Sequence, residues 1–172
     1  MEKLIKIYNN LNLKKVHKGS IILIGNFDGI HLGHQKLFAL ANKYKKKFNL
    51  NIGVLTFEPM PKMFFNKKIK NFRISNLNQK INLLNNMGVN FIINQKFDNK
   101  FSKTKSSDFI KKIIFKKLNA KFIFVSNNFK FGNKREGDVS QLINYESLYG
   151  YKTIKPEPLK IKNKVISSSL IR

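Results

Sequence analysis

Apolar and polar positions fall along the chain in alternating strand-like and helix-like blocks. Ser20–Gly25 holds a continuous apolar run that ends in glycine, which predicts a buried strand. From Gly33 to Phe48, apolar residues recur at Leu37, Leu40, Ala41 and Tyr44, and lysines close the segment, which predicts a helix. Asn51–Phe57 reads as a second strand. Pro59 and Pro61 then break regular structure, so Lys62–Arg73 is expected to be irregular. Asn76–Met87 carries Ile81 and Leu84 on one helical face, with Gly88 as its stop. Val89–Asn94 reads as a third strand. Ser106 or Ser107 is expected to cap a helix that runs to about Lys117. Lys121–Ser126 gives a fourth strand, Val139–Tyr149 a helix and Tyr151–Lys155 a fifth strand. Such alternation predicts an α/β fold with a parallel sheet and right-handed crossovers. Ligands of these sheets bind beyond the C-terminal strand ends, so the residues after each strand carry the functional information.

Length and composition narrow this picture. The chain has 172 residues, which corresponds to one domain at ~100–200 residues per domain. Cysteine is absent, which excludes a disulfide scaffold and a thiolate zinc site and fits a reducing, cytoplasmic setting. No apolar run approaches the ~20 residues a membrane helix needs, and Met1–Asn10 lacks a signal-peptide apolar core.

The formal charge of +25 points first to nucleic acid. Composition supplies a different cause. The chain holds 31 Lys, 23 Asn, 21 Ile and 16 Phe, but only 3 Arg and 3 Ala. The abundant types share A/T-rich codons. A surface selected to read phosphate and guanine would favour Arg. The basic balance is therefore read as codon pressure, and a nucleic-acid partner is disfavoured.

The strongest chemical signal comes directly after the first strand: Gly25, Asn26, Phe27, Asp28, Gly29, Ile30, His31, Leu32, Gly33 and His34. Gly25 lets the backbone turn, Gly33 admits a phosphate, and the helix beginning there offers unpaired N–H groups and a positive dipole end. Two histidines beside it can donate to phosphate oxygens. The segment is neither a Walker loop nor a G-x-G-x-x-G fingerprint.

The pattern G-x-F-D-G-x-H-x-G-H resembles the nucleotidylyltransferase superfamily, whose signature is H-x-G-H. With F-D-G and the adjoining Gln35, it is similar to the bacterial FAD synthetase module of bifunctional riboflavin kinase/FAD synthetases. Three further segments resemble that family in order. Leu55–Pro61 resembles T-F-x-P-H-P. Val125–Gly132, with Gly137 and Asp138, resembles V-G-x-[DN]-F-x-F-G…G-D. Ile166–Arg172 resembles I-S-S-T-x-I-R. Met60 stands where the family has histidine, Ser126 where it has glycine, and Ser169 where it has threonine.

The resemblance implies a Rossmann-like parallel sheet flanked by helices. It also implies transfer of AMP from ATP to FMN, giving FAD and pyrophosphate. In that reaction His31 and His34 would contact the ATP phosphates. Gly25, Asn26, Phe27, Asp28 and Gly33 would shape the nucleotide cradle. Ser167, Ser168, Ser169 and Arg172 would add phosphate-binding hydroxyls, helix N–H groups and a cation. Asn128 would orient substrate or metal, and Phe129 would either stack on a flavin or adenine ring or belong to the core. Mg²⁺ would arrive on the substrate phosphates. The family usually continues into a riboflavin kinase domain. This chain stops at Arg172, so no kinase activity is expected of it. Two alternatives stay open: another adenylyl- or cytidylyltransferase, or a basic nucleic-acid-binding module without catalysis.

Overall fold

The computed structural model describes residues 4–69, 76–157 and 160–165. The N-terminal strand β1 (Lys6–Tyr8) is followed by β2 (Ile21–Ile24), α1 (Leu32–Phe48), β3 (Ile52–Glu58), α2 (Pro61–Phe65) and α3 (Leu77–Asn86). Next come β4 (Phe91–Lys96), α4 (Asn99–Ser102) and α5 (Ser106–Asp108), which runs directly into a π-helical segment, Phe109–Lys117. The last third holds β5 (Phe122–Phe124), β6 (Lys130–Phe131), β7 (Gly137–Asp138), α6 (Val139–Asn144), α7 (Glu146–Tyr149), β8 (Lys152–Ile154), β9 (Lys160–Ile161) and β10 (Lys164–Val165).

Six strands form one sheet in the order β1-β4-β3-β2-β5-β8, and every neighbouring pair is parallel. Strand alternation divides its core in two. Ile21, Leu23, Ile52, Val54 and Ile92 face α1 and α3, where Phe38, Ala41 and Leu84 meet them. Ile22, Ile24, Leu55, Ile93 and Ile123 face the other side, where Ile110, Ile113, Ile114 and Leu118 cover them. A parallel sheet covered on both faces needs apolar residues at successive positions, hence the unbroken run of Ile21–Ile24. Gly53 sits in mid-strand because a Cβ there would lie 2.2 Å from the Phe91 ring.

The five expected strands and the main helices are all present. The differences have local causes. β1 is a sixth strand of the sheet, too short at three residues to stand out from its surroundings. The segment expected to be irregular after Pro59 contains α2, because Pro61 occupies its first turn, where a missing N–H costs nothing. Lys70–Arg73 lie outside the described residues. The helix expected over Val139–Tyr149 is two short helices that meet at Tyr145. Neither Ser106 nor Ser107 caps its helix by its side chain. Instead, the Ser106 N–H donates to the Glu136 carboxylate at 2.9 Å, an acceptor supplied from the β6–β7 hairpin region. In the π-helical segment, i→i+5 bonding stacks residues five apart. Phe109, Ile113, Ile114 and Leu118 are all buried.

From β2 the chain moves to β3 on one side, whereas β5 lies on the other side of β2. This reversal is the topological switch point of a doubly wound sheet, where a crevice opens between the two strand exits. The exits are the turn after Ile24 and the turn after Phe124.

Candidate active site

The β2 exit is a tight turn that feeds the N-terminus of α1. Gly25 N–H donates to the Leu55 carbonyl at 3.1 Å, extending the sheet by one residue. Phe27 then adopts a left-handed backbone (φ 48°), as does Gly29 (φ 61°). The Phe27 ring is buried and packs on His34 (centroids 5.1 Å apart) and Phe38 (5.3 Å). A hydrophobic plug thus sits beneath the second histidine. Asp28 is only 3% exposed.

His31 is the N-cap of α1. Its Nδ1 accepts from the N–H groups of Gly33 (3.1 Å) and His34 (3.4 Å). This bond fixes the tautomer: an Nδ1 that accepts carries no proton, so the neutral ring has its proton on Nε2. Burial lowers the His31 pKa, and protonation at Nδ1 would break the cap. The His34 ring stacks on that of His31 with centroids 3.7 Å apart and planes 21° from parallel. The His34 pKa is pushed down to about 3. Burial is the main cause, the nearby His31 and Lys80 add to it, and the Asp28 carboxylate opposes it. At neutral pH both rings are uncharged. His34 Nδ1 and Asn26 Oδ1 are buried without a hydrogen-bond partner among the described residues. Two such polar atoms in one turn are open to water or to a ligand.

The β5 exit lies beside this turn. Val125 N–H donates to the Ile154 carbonyl at 3.1 Å. Ser126 Oγ donates to Asn128 Oδ1 at 3.0 Å, and Phe129 N–H donates to the Ser126 carbonyl at 3.1 Å. With its amide oriented to satisfy both groups, Asn127 would donate to the Lys155 and Pro156 carbonyls at 3.2 and 3.3 Å, bridging the β5 and β8 exits. The neighbouring Asn128 is exposed at the crevice edge. Phe129 is half-buried and stacks on Phe131 with centroids 5.4 Å apart, and Phe131 packs on Phe109.

The structure therefore brings together Gly25, Asn26, Phe27, Asp28, His31, Gly33 and His34 on one turn, with Asn128 and Phe129 on the adjacent strand exit. Ser167, Ser168, Ser169 and Arg172 lie outside the described residues. Met60 is buried, and its carbonyl accepts from Met63 and Phe64 N–H at 2.8 and 3.0 Å. Two residues beside this turn were not among the expected site residues. Lys80 Nζ lies 2.7 Å from Thr56 Oγ1, and that hydroxyl lies 3.4 Å from the Asn26 carbonyl. A lysine among 31 gives no sequence signal. A third omission is an aromatic wall where β3 and β4 end: Phe57, Phe64, Phe65, Phe97 and Phe101, with ring centroids 5.1–6.0 Å apart.

The FAD synthetase family profile matches residues 13–170, nearly all of the chain. The chain belongs to the FAD synthetase family. It is 41% identical over 162 residues to the bifunctional riboflavin kinase/FMN adenylyltransferase of Buchnera aphidicola subsp. Schizaphis graminum, covering 94% of this chain and 52% of the relative. The protein of the same description from Escherichia coli K12 is 32% identical over 170 residues, covering 99% and 54%. The chain thus spans about half the length of the curated relatives it matches. A solved structure described as a macrolide-efflux protein from Streptococcus pneumoniae superposes with a TM-score of 0.83 at 28% identity, covering 98% of this chain and 54% of that one. Among the described residues, no helix is long and apolar enough to cross a membrane.

Proposed function

We propose that this chain transfers AMP from ATP to FMN, forming FAD and releasing pyrophosphate. A phosphate oxygen of FMN attacks the α-phosphorus of ATP, the new P–O bond forms, and the bond to the β-phosphate bridging oxygen breaks. The ionised phosphate is already a nucleophile, so the protein must position the reactants and stabilise charge rather than abstract a proton. The observation that carries this reading is the His31–His34 pair at the N-terminus of α1. The cap bond leaves the His31 Nε2–H as a donor, and the helix offers N–H groups and its positive dipole end. Such donors are suited to the charge that builds on the phosphates as pyrophosphate leaves.

Asn128 is assigned to orienting a substrate across the crevice. Ser167, Ser168, Ser169 and Arg172 are assigned, on the family resemblance, to further phosphate contacts. Among the described residues, no three His, Asp or Glu side chains are grouped to hold a metal ion. A Mg²⁺ ion carried by the triphosphate would neutralise phosphate charge. The test is FAD and pyrophosphate formation by the full chain with FMN, ATP and Mg²⁺. Stoichiometric FAD and pyrophosphate are expected. Folded protein that makes neither, or that adenylylates another phosphate acceptor in preference, overturns the proposal.

The isoalloxazine needs an apolar surface, and two lie along the strand exits: the Phe129–Phe131 stack and the wall that includes Phe65, which is 67% exposed. The Phe129 ring is committed to packing, whereas Phe65 offers an open face. Phe65→Ala is expected to raise the KM for FMN by roughly 5–10-fold, about the value of one aromatic stacking contact, with the KM for ATP unchanged. Steady-state kinetics with each substrate varied in turn checks this; an unchanged KM for FMN removes Phe65 from the flavin surface.

A further inference from the structure

Lys80 differs from the solvated lysines that dominate this chain. It is half-buried, and its ammonium donates at 2.7 Å to the hydroxyl of Thr56, a residue with no exposed surface. Thr56 Oγ1 in turn faces the Asn26 carbonyl at 3.4 Å. The chain of contacts crosses from α3, over β3, to the turn that ends in the two histidines. Lys80 also stands in the first turn of α3, where a positive charge opposes the helix dipole. That helix does not depend on it, because Asn76 and Gln79 already form a complete capping box. A cation drawn inward at an unfavourable helix position calls for a reason outside the helix.

The turn supplies that reason. Asn26 Oδ1 and His34 Nδ1 find no partner among the described residues, so those two side-chain atoms do not brace it. Thr56 approaches its backbone from β3. Lys80 also lies close enough for its charge to be felt at His34, alongside His31 and Asp28.

We propose that Lys80 and Thr56 are positioning residues: the Lys80–Thr56–Asn26 relay holds the β2 exit turn in the shape that presents His31 and His34 to the nucleotide phosphates, with a fixed positive charge behind them. This rests on the adenylyl-transfer reading. Neither side chain needs to touch substrate, so the effect belongs in turnover and in the turn's own geometry.

The test uses the full chain and four variants: Lys80→Met, Thr56→Val, the double variant and Thr56→Ser. Lys80→Met and Thr56→Val are each expected to lower kcat by about 10-fold or more while the KM for FMN stays unchanged, since small misplacements of a site are costly. The double variant is expected to be no worse than either single one, because both cut the same relay. Thr56→Ser keeps the hydroxyl and is expected to retain wild-type turnover. A second readout needs no activity. In ligand-free protein, NMR is expected to show shifted Gly25–His34 amides in both single variants and an upward-moved His34 titration in Lys80→Met. Folded variants with wild-type kcat and unmoved turn resonances overturn the proposal, as does strict additivity in the double variant. If Thr56→Val or Lys80→Met unfolds, Thr56→Ser decides: turnover or turn resonances unlike wild type overturn it. If the wild-type chain makes no FAD, the adenylyl-transfer reading fails by itself, and the NMR readout still judges the relay.

Discussion

His34→Ala is expected to reduce FAD formation by roughly 10²–10³-fold, the usual loss when one preorganised donor to a charge-accumulating transition state is removed. The effect should fall mainly on kcat, because the charge to be stabilised is largest as pyrophosphate departs. His31 requires a more careful experiment, since its ring has two duties. Nδ1 caps α1, and Nε2–H is the donor of the proposed reaction. His31→Ala removes both, and the lost cap should also cost about 1 kcal/mol of stability. His31→Asn restores a good capping side chain without an imidazole donor. Its expected result is near-wild-type stability with the same loss of turnover. Paired denaturation curves and FAD assays separate the two duties. If His31→Asn retains full turnover, the histidine serves the helix and not the reaction.

That double duty explains what could and could not be seen in the sequence. The parallel sheet was legible because its strands are short apolar runs placed between helical spacings, and burial on both faces demands such runs. The candidate site was legible as a break in this pattern, because Gly25 to His34 interrupts it at a strand end. The N-cap was not legible, since histidine is not among the residues that favour that position. Only the turn's geometry brings Nδ1 onto two N–H groups. Lys80 was invisible for a compositional reason: in a chain of 31 lysines, one that turns inward looks like all the others. The cap of the helix at Ser106 failed for a topological reason, because its acceptor, Glu136, lies 30 residues away in sequence. β1 failed because three residues, one of them a lysine, carry too little pattern to identify a strand. Phe129, read as a core or flavin residue, is placed by its stack on Phe131 at the edge of the core.

The state of His34 leads to a prediction about acid stability. Its pKa is about 3 in the folded chain and near 6.5 when unfolded, so between those pH values the unfolded state binds the extra proton. Stability therefore falls as the pH drops from about 6.5 toward 3, at up to about 1.36 kcal/mol per pH unit for one proton. The accumulated penalty is of the order of a few kcal/mol, a large part of the roughly 5–15 kcal/mol that holds a domain of this kind together. Urea unfolding at pH 7, 5 and 4, comparing the wild type with His34→Gln, isolates this proton from the carboxylates that titrate in the same range. The variant should lose stability less steeply, by about one proton's slope, and equal slopes would overturn the assignment. The same logic bears on catalysis. An imidazole that stays neutral down to about pH 3 cannot produce an acid limb near pH 6 in kcat/KM. Such a limb would belong to His31 or to the second ionisation of the FMN phosphate, near 6 for a phosphate monoester, and would persist in a His34 variant with residual activity. In the proposed reaction the positive field at the phosphates would come from the α1 N-terminus and Lys80, offset in part by the buried Asp28, while the two histidines would contribute directed donors without charge of their own.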